Sequence, residues 1–161
     1  MKALPLNTIK KELQFLSKQE LIELCLKLSR FKKENKELLT YLLVEAQDEE
    51  QFISSIKELQ DQLFSEINTN SYFYIRKSVR KILSLTKKFI RYSKKKETEV
   101  ELLLHFCWKL RELTPSISVS PRLTNIYHKQ LDMANRAIGK LHPDLQYDYR
   151  IELENFPKYN I

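Results

Sequence analysis

The stretch Tyr72-Phe-Tyr-Ile-Arg-Lys-Ser-Val-Arg-Lys-Ile-Leu-Ser-Leu-Thr-Lys-Lys-Phe-Ile-Arg-Tyr-Ser-Lys-Lys-Lys96 decides how this chain is read. On a helical wheel, Tyr72, Ile75, Val79, Ile82, Leu83, Thr86, Phe89 and Ile90 fall within an arc of roughly 120°. Arg76, Lys77, Arg80, Lys81, Lys87, Lys88, Arg91 and Lys94 fall in a separate arc of roughly 140°. The segment therefore reads as one helix from about Tyr72 to Tyr92, with one face for a core and another wholly basic. No acidic residue stands between Arg76 and Lys96. Like charges recur four apart at Arg76/Arg80, Lys77/Lys81 and Lys87/Arg91. An ordinary exposed helix would carry Glu–Lys pairs there, each stabilising by a few tenths of a kcal/mol.

Helix signals extend in both directions from this stretch. Upstream, Asn7 to Phe15 reads as a short helix. Ser17 with Glu20 forms a capping box, and Leu21, Leu24, Cys25, Leu28 and Phe31 follow on one face. Asn35 is a candidate cap for a helix carrying Leu38, Leu39, Leu42 and Leu43. Asp48 with Gln51 opens an acidic helix with Phe52, Ile56, Leu59, Leu63 and Phe64 on its apolar side. Downstream, Thr98 with Glu101 reads as a third capping box. The helix it starts carries Val100, Leu102, Leu103, Leu104, Phe106, Cys107, Trp108 and Leu110, apolar nearly all round, so it should be the central one. Ser120-Pro121 and His142-Pro143 each read as a cap followed by an N1 proline.

The expectation is an all-α fold, an irregular multi-helix bundle or stacked helical hairpins, with about eight helices and no sheet. Residues 1–113 read as a helical body. Pro115, three serines and Pro121 make 114–120 a linker. Residues 121–161 read as a C-terminal helical hairpin, either packed on the body or a mobile arm. Glycine supports the all-α expectation by its scarcity. Gly139 is the single one in 161 residues, against about 7% in average usage. Tight hairpins, dinucleotide fingerprints and phosphate-cradling loops are therefore disfavoured together.

Few patterns point to catalysis. His105, His128 and His142 lack the i,i+4 spacing of a helical metal site, and no Cys-x-x-Cys occurs. His105 reads as a core histidine, His128 as a surface residue and His142 as a cap. Cys25 and Cys107 sit in apolar patterns and read as buried free thiols. The acidic pairs Glu97/Glu101 and Glu58/Asp61 suit helix starts better than a catalytic dyad. Phe106, Trp108 and Tyr127 read as core. No Gly-x-Ser-x-Gly elbow is present. The chain is expected to be no enzyme, with no cofactor and no metal. It shows no secretory pattern and no run of about 20 apolar residues, so a cytoplasmic protein without a membrane span is expected.

The net charge is +7, and the basic helix face carries the functional expectation. The phosphate backbone of DNA or RNA would offset its self-repulsion. Tyr72, Phe73, Tyr74 and Tyr92 flank the basic arc and could stack on unpaired bases. An acidic protein partner or an anionic membrane surface would also suit it. Equally, the face could be solvated, or neutralised from within by the acidic segment 45–66, which holds Glu45, Asp48, Glu49, Glu50, Glu58, Asp61 and Glu66. A protein-interaction scaffold would then be the alternative, with the basic face incidental.

Two resemblances bear on this. The run from Leu16-Ser-Lys-Gln-Glu-Leu21 through Leu43 resembles small uncharacterised all-helical proteins of Gram-negative bacteria. The likeness continues through Ile75-Arg-Lys-Ser-Val-Arg-Lys-Ile-Leu83 and Thr98-Glu-Val-Glu-Leu-Leu104. It implies a bacterial origin and a helical fold, and no activity. Ile9-Lys-Lys-Glu-Leu13 with Leu16-Ser-Lys-Gln-Glu-Leu21 is similar in rhythm to the SAP motif, a short helical DNA binder. The glycine of that motif's turn is missing here.

Overall fold

The structure, a computed structural model, describes residues 1–159. Among them are eight α-helices and no strand: α1 Leu6–Leu13, α2 Lys18–Phe31, α3 Lys33–Leu43, α4 Glu49–Ser65, α5 Tyr72–Ser93, α6 Lys96–Arg111, α7 Pro121–Ile138 and α8 Pro143–Glu154. The described chain divides into two compact units, Met1–Val44 and the residues from Glu45 onward.

In the first unit α2 packs against α3. The capping box at its start is formed as expected. The Ser17 amide donates to Glu20 Oε2 at 2.7 Å, and the Glu20 amide donates to Ser17 Oγ at 3.3 Å. Asn35 does not cap α3, which begins two residues earlier behind an extended Lys32. Its Nδ2 instead donates to the Leu28 carbonyl at 2.9 Å, satisfying an acceptor in the last turn of α2. The apolar stripe of α2 is not buried: Leu28, Phe31 and Cys25 are exposed. The expectation of two buried thiols therefore fails for Cys25, because α3 covers its stripe only in part.

The second unit is built on α6. Helices α4, α5 and α7 all pack against it, and α8 packs on α7. Val100, Leu102, Leu103, Phe106, Cys107 and Leu110 of α6 are wholly buried, each large side chain contributing about 1.5–3 kcal/mol of hydrophobic stabilisation. Thr98 does not start this helix. Lys95 is its N-cap, and Thr98 is buried and donates to Glu49 of α4 at 2.6 Å. Trp108 lies outside the expected core at 38% exposure. It stands edge-on to Phe156, with the Arg111 guanidinium 4.5 Å from its ring centre.

Residues 114–120 lie inside the second unit. They hold a 3-10 turn, Ile117–Val119, whose Ile117 is fully buried, and α7 packs closely along α6. Residues 160 and 161 of the expected hairpin 121–161 lie outside the described residues.

A buried polar link sets the rotation of α5. Gln60 Nε2 of α4 donates to Thr86 Oγ1 of α5 at 2.7 Å and to the Leu102 carbonyl of α6 at 3.2 Å. With Ile75, Val79 and Ile82 buried on the same side, the opposite arc of α5 is turned outward.

Candidate nucleic-acid interface

The outward arc of α5 is the predicted basic face. Lys77, Arg80, Lys81, Arg91 and Lys94 are exposed, and Arg76, Lys87 and Lys88 are partly buried. Lys94 leaves the helical register. It is the C-cap, in the left-handed conformation at φ 59°, and its amide donates to the Ile90 carbonyl at 2.8 Å. That geometry ordinarily favours Gly or Asn, so the wheel position assigned to Lys94 does not describe where it sits.

The acidic helix α4 could have neutralised this face, and two of its carboxylates make contacts on or next to α6. Asp61 meets His105 at 2.7 Å and Lys109 at 3.6 Å, both on α6. Lys57 pairs with Glu101 of α6. Glu49 accepts from Ser93 and Thr98 and pairs with Lys95 at 2.9 Å. Among the described residues, no carboxylate lies within 4.0 Å of the charged group of Arg76, Lys77, Arg80, Lys81, Lys87, Arg91 or Lys94. Lys88 is engaged differently, its ammonium 5.1 Å from the Phe89 ring centre.

A helix the basic run does not contain borders this face. Arg80, Leu83, Ser84 and Lys87 of α5 and Asn125, Ile126, Lys129 and Gln130 of α7 line one open groove of about 460 Å³. Burial, and then the charge of Lys129, push the Lys87 ammonium below its ordinary value. Lys129 and Asn125 are functional candidates that sequence reasoning missed. Nothing local marks Lys129, since α7 carries mixed charges and an Asp132 three residues on.

The four flanking aromatics separate. Tyr72 donates to the Ser116 carbonyl at 2.7 Å, and Tyr92 is buried at 9% exposure, edge-on to Phe89. These two are not available to bases. Phe73 and Tyr74 remain exposed at 62% and 47%, edge-on to each other. Phe73 shares its wheel direction with Arg91 and lies close to Arg80, so an open aromatic ring stands in line with the cations.

The histidines do other work. His105 is partly buried and paired with Asp61 rather than sealed in the core. His128, expected at the surface, is half-buried and accepts from the Tyr159 amide at 3.3 Å. His142 caps α8 as expected, accepting from the Asp144 amide at 3.4 Å. Glu101 is a structural hub: it binds Lys57 and accepts from Tyr149 at 2.5 Å. Burial raises its carboxyl, and the bonds from Lys57 and Tyr149 outweigh that, so it lies below the usual carboxylate range. Among the described residues no group of His, Cys, Asp or Glu could hold a metal ion. None of the described helices is long and apolar enough to cross a membrane.

No protein-family model, curated protein or solved structure matches this chain.

Proposed function

We propose that this protein is a non-catalytic nucleic-acid-binding protein whose α5 face contacts the phosphate backbone. One observation carries the reading: six cations of that face, Arg76, Lys77, Arg80, Lys81, Lys87 and Arg91, have no carboxylate partner among the described residues, while Asp61 and Glu49 of the neighbouring acidic helix hold residues of α6 and of the α5–α6 junction. Such a face repels itself until a polyanion arrives, and binding then gains the entropy of counterion release. From Phe73 to Arg91 the line extends about 27 Å at the helical rise, the length of about eight nucleotides along one strand of a duplex. The open Phe73 and Tyr74 rings favour unpaired bases, which every stacking platform accepts regardless of sequence. Titrating generic single- and double-stranded DNA and RNA at low and moderate salt tests the reading. Binding should weaken steeply with salt and be tightest for single strands. A protein that binds none of the four at low salt does not have this function.

A scaffold role draws on a different observation. Leu26, Leu28, Phe31, Leu42 and Leu43 are exposed on the first unit, and contiguous apolar surface commonly marks a protein contact. A protein that is still retained from nuclease-treated extract, through this unit alone, would favour that reading.

A further inference from the structure

We propose that the groove between α5 and α7 is a binding site for a terminal phosphate, a phosphomonoester held by Arg80, Lys87 and Lys129. This rests on the nucleic-acid reading only for the source of the phosphate. Three cations from two helices line one concavity, and none has a carboxylate within ion-pair distance among the described residues. A backbone diester carries one negative charge. A monoester carries about −1.5 to −2 near neutral pH, with three strong acceptor oxygens. Three cations lining one concavity exceed what a diester needs and match a monoester. Their chemistry is complementary as well: a flat guanidinium fork beside two compact ammonium groups. Ser84 and Asn125 add neutral donors on the same rim, and Leu83 and Ile126 give it an apolar part. A volume of about 460 Å³ holds more than a bare phosphate, leaving room for the sugar to which a strand end is attached. The proximity of Lys129, which helps lower the Lys87 ammonium, is the strain such an anion would relieve.

The test compares one single-stranded oligonucleotide sequence with phosphate or hydroxyl at its end, and inorganic phosphate alone, on the full chain. Phosphorylated ends should bind roughly tenfold more tightly, the equivalent of one charge-assisted contact. Inorganic phosphate should shift the side-chain NMR signals of Lys87 and Lys129. The exposed Lys129→Gln variant should erase the preference, weakening the phosphate-ended strand by more than the hydroxyl-ended one. Oligonucleotide binding with no end preference and no phosphate shift overturns the groove and leaves the α5 face standing. So does a Lys129→Gln variant that weakens both strands alike. The converse is also distinguishable. If no oligonucleotide binds but inorganic phosphate moves Lys87 and Lys129, the groove stands with free phosphomonoesters as its source, and the nucleic-acid reading falls.

Discussion

Replacing Arg80, Lys87 and Arg91 together by Gln removes three cations from one line of α5, spanning about 16 Å at 1.5 Å per residue. Each phosphate contact on a single strand adds about 0.7 to the dependence of log K on log salt, so the slope should become shallower by about 2.1. If the ionic contribution vanishes near 1 M, three contacts at about 0.1 M are worth about 130-fold in affinity, or about 2.9 kcal/mol. Stability should hardly change. None of the three side chains is paired with a carboxylate among the described residues, and removing the Lys87/Arg91 repulsion recovers a few tenths of a kcal/mol. Fluorescence anisotropy of a labelled single strand, titrated between about 50 and 200 mM salt, reads the slope directly. Thermal unfolding of the same variant checks the fold. An unchanged slope with an intact fold would mean that the counterions leave some other surface, and the reasoning fails. A large loss of stability would mean that these cations serve an internal role the ion-pair geometry does not contain.

Three further outcomes follow from the same geometry. Phe73→Ala should weaken single-strand binding by about 1–3 kcal/mol per stacked base while leaving duplex binding nearly unchanged; equal losses on both would exclude stacking. Glu101→Gln should cost about 2 kcal/mol, because it leaves the Lys57 ammonium without its carboxylate and weakens the bond from Tyr149. The stability that Glu101 contributes is complete above the ordinary carboxylate pKa of 4.5 and is lost as pH falls through its depressed folded value, so the variant's acid-unfolding profile should be flatter there in a denaturant titration at several pH values. Finally, a thiol reagent should label Cys25 at once in the native protein and Cys107 only on unfolding. Cys25 is exposed, whereas Cys107 is fully buried and burial pushes its thiol up. Fast native labelling of both would contradict the packing of α6.

The helices were legible because their signals are local. A capping box needs only Ser17 and Glu20, and the core side of α5 is a periodicity of one segment. The same locality explains the misreadings. Thr98 with Glu101 has the spacing of a capping box, yet Thr98 is taken by Glu49 and Glu101 by Lys57 and Tyr149, partners more than forty residues away. Cys25 sits in an apolar stripe like that of Cys107, but a stripe reports only that burial is possible, and cover must come from another helix.

The candidate site divides along the same line. That Arg76, Lys77, Arg80, Lys81, Lys87 and Arg91 share a face follows from 3.6 residues per turn, whatever surrounds the helix. Whether their charge stays open to a partner depends on where the carboxylates of α4 go, and the bonds of Glu49 to Ser93 and of Asp61 to His105 each span 44 residues of sequence. Bringing Lys129 beside Lys87 is likewise a matter of how α7 lies on α6. Side-chain periodicity is written into the backbone of a single helix, whereas proximity between helices is settled only when the shared core around α6 closes and fixes their packing.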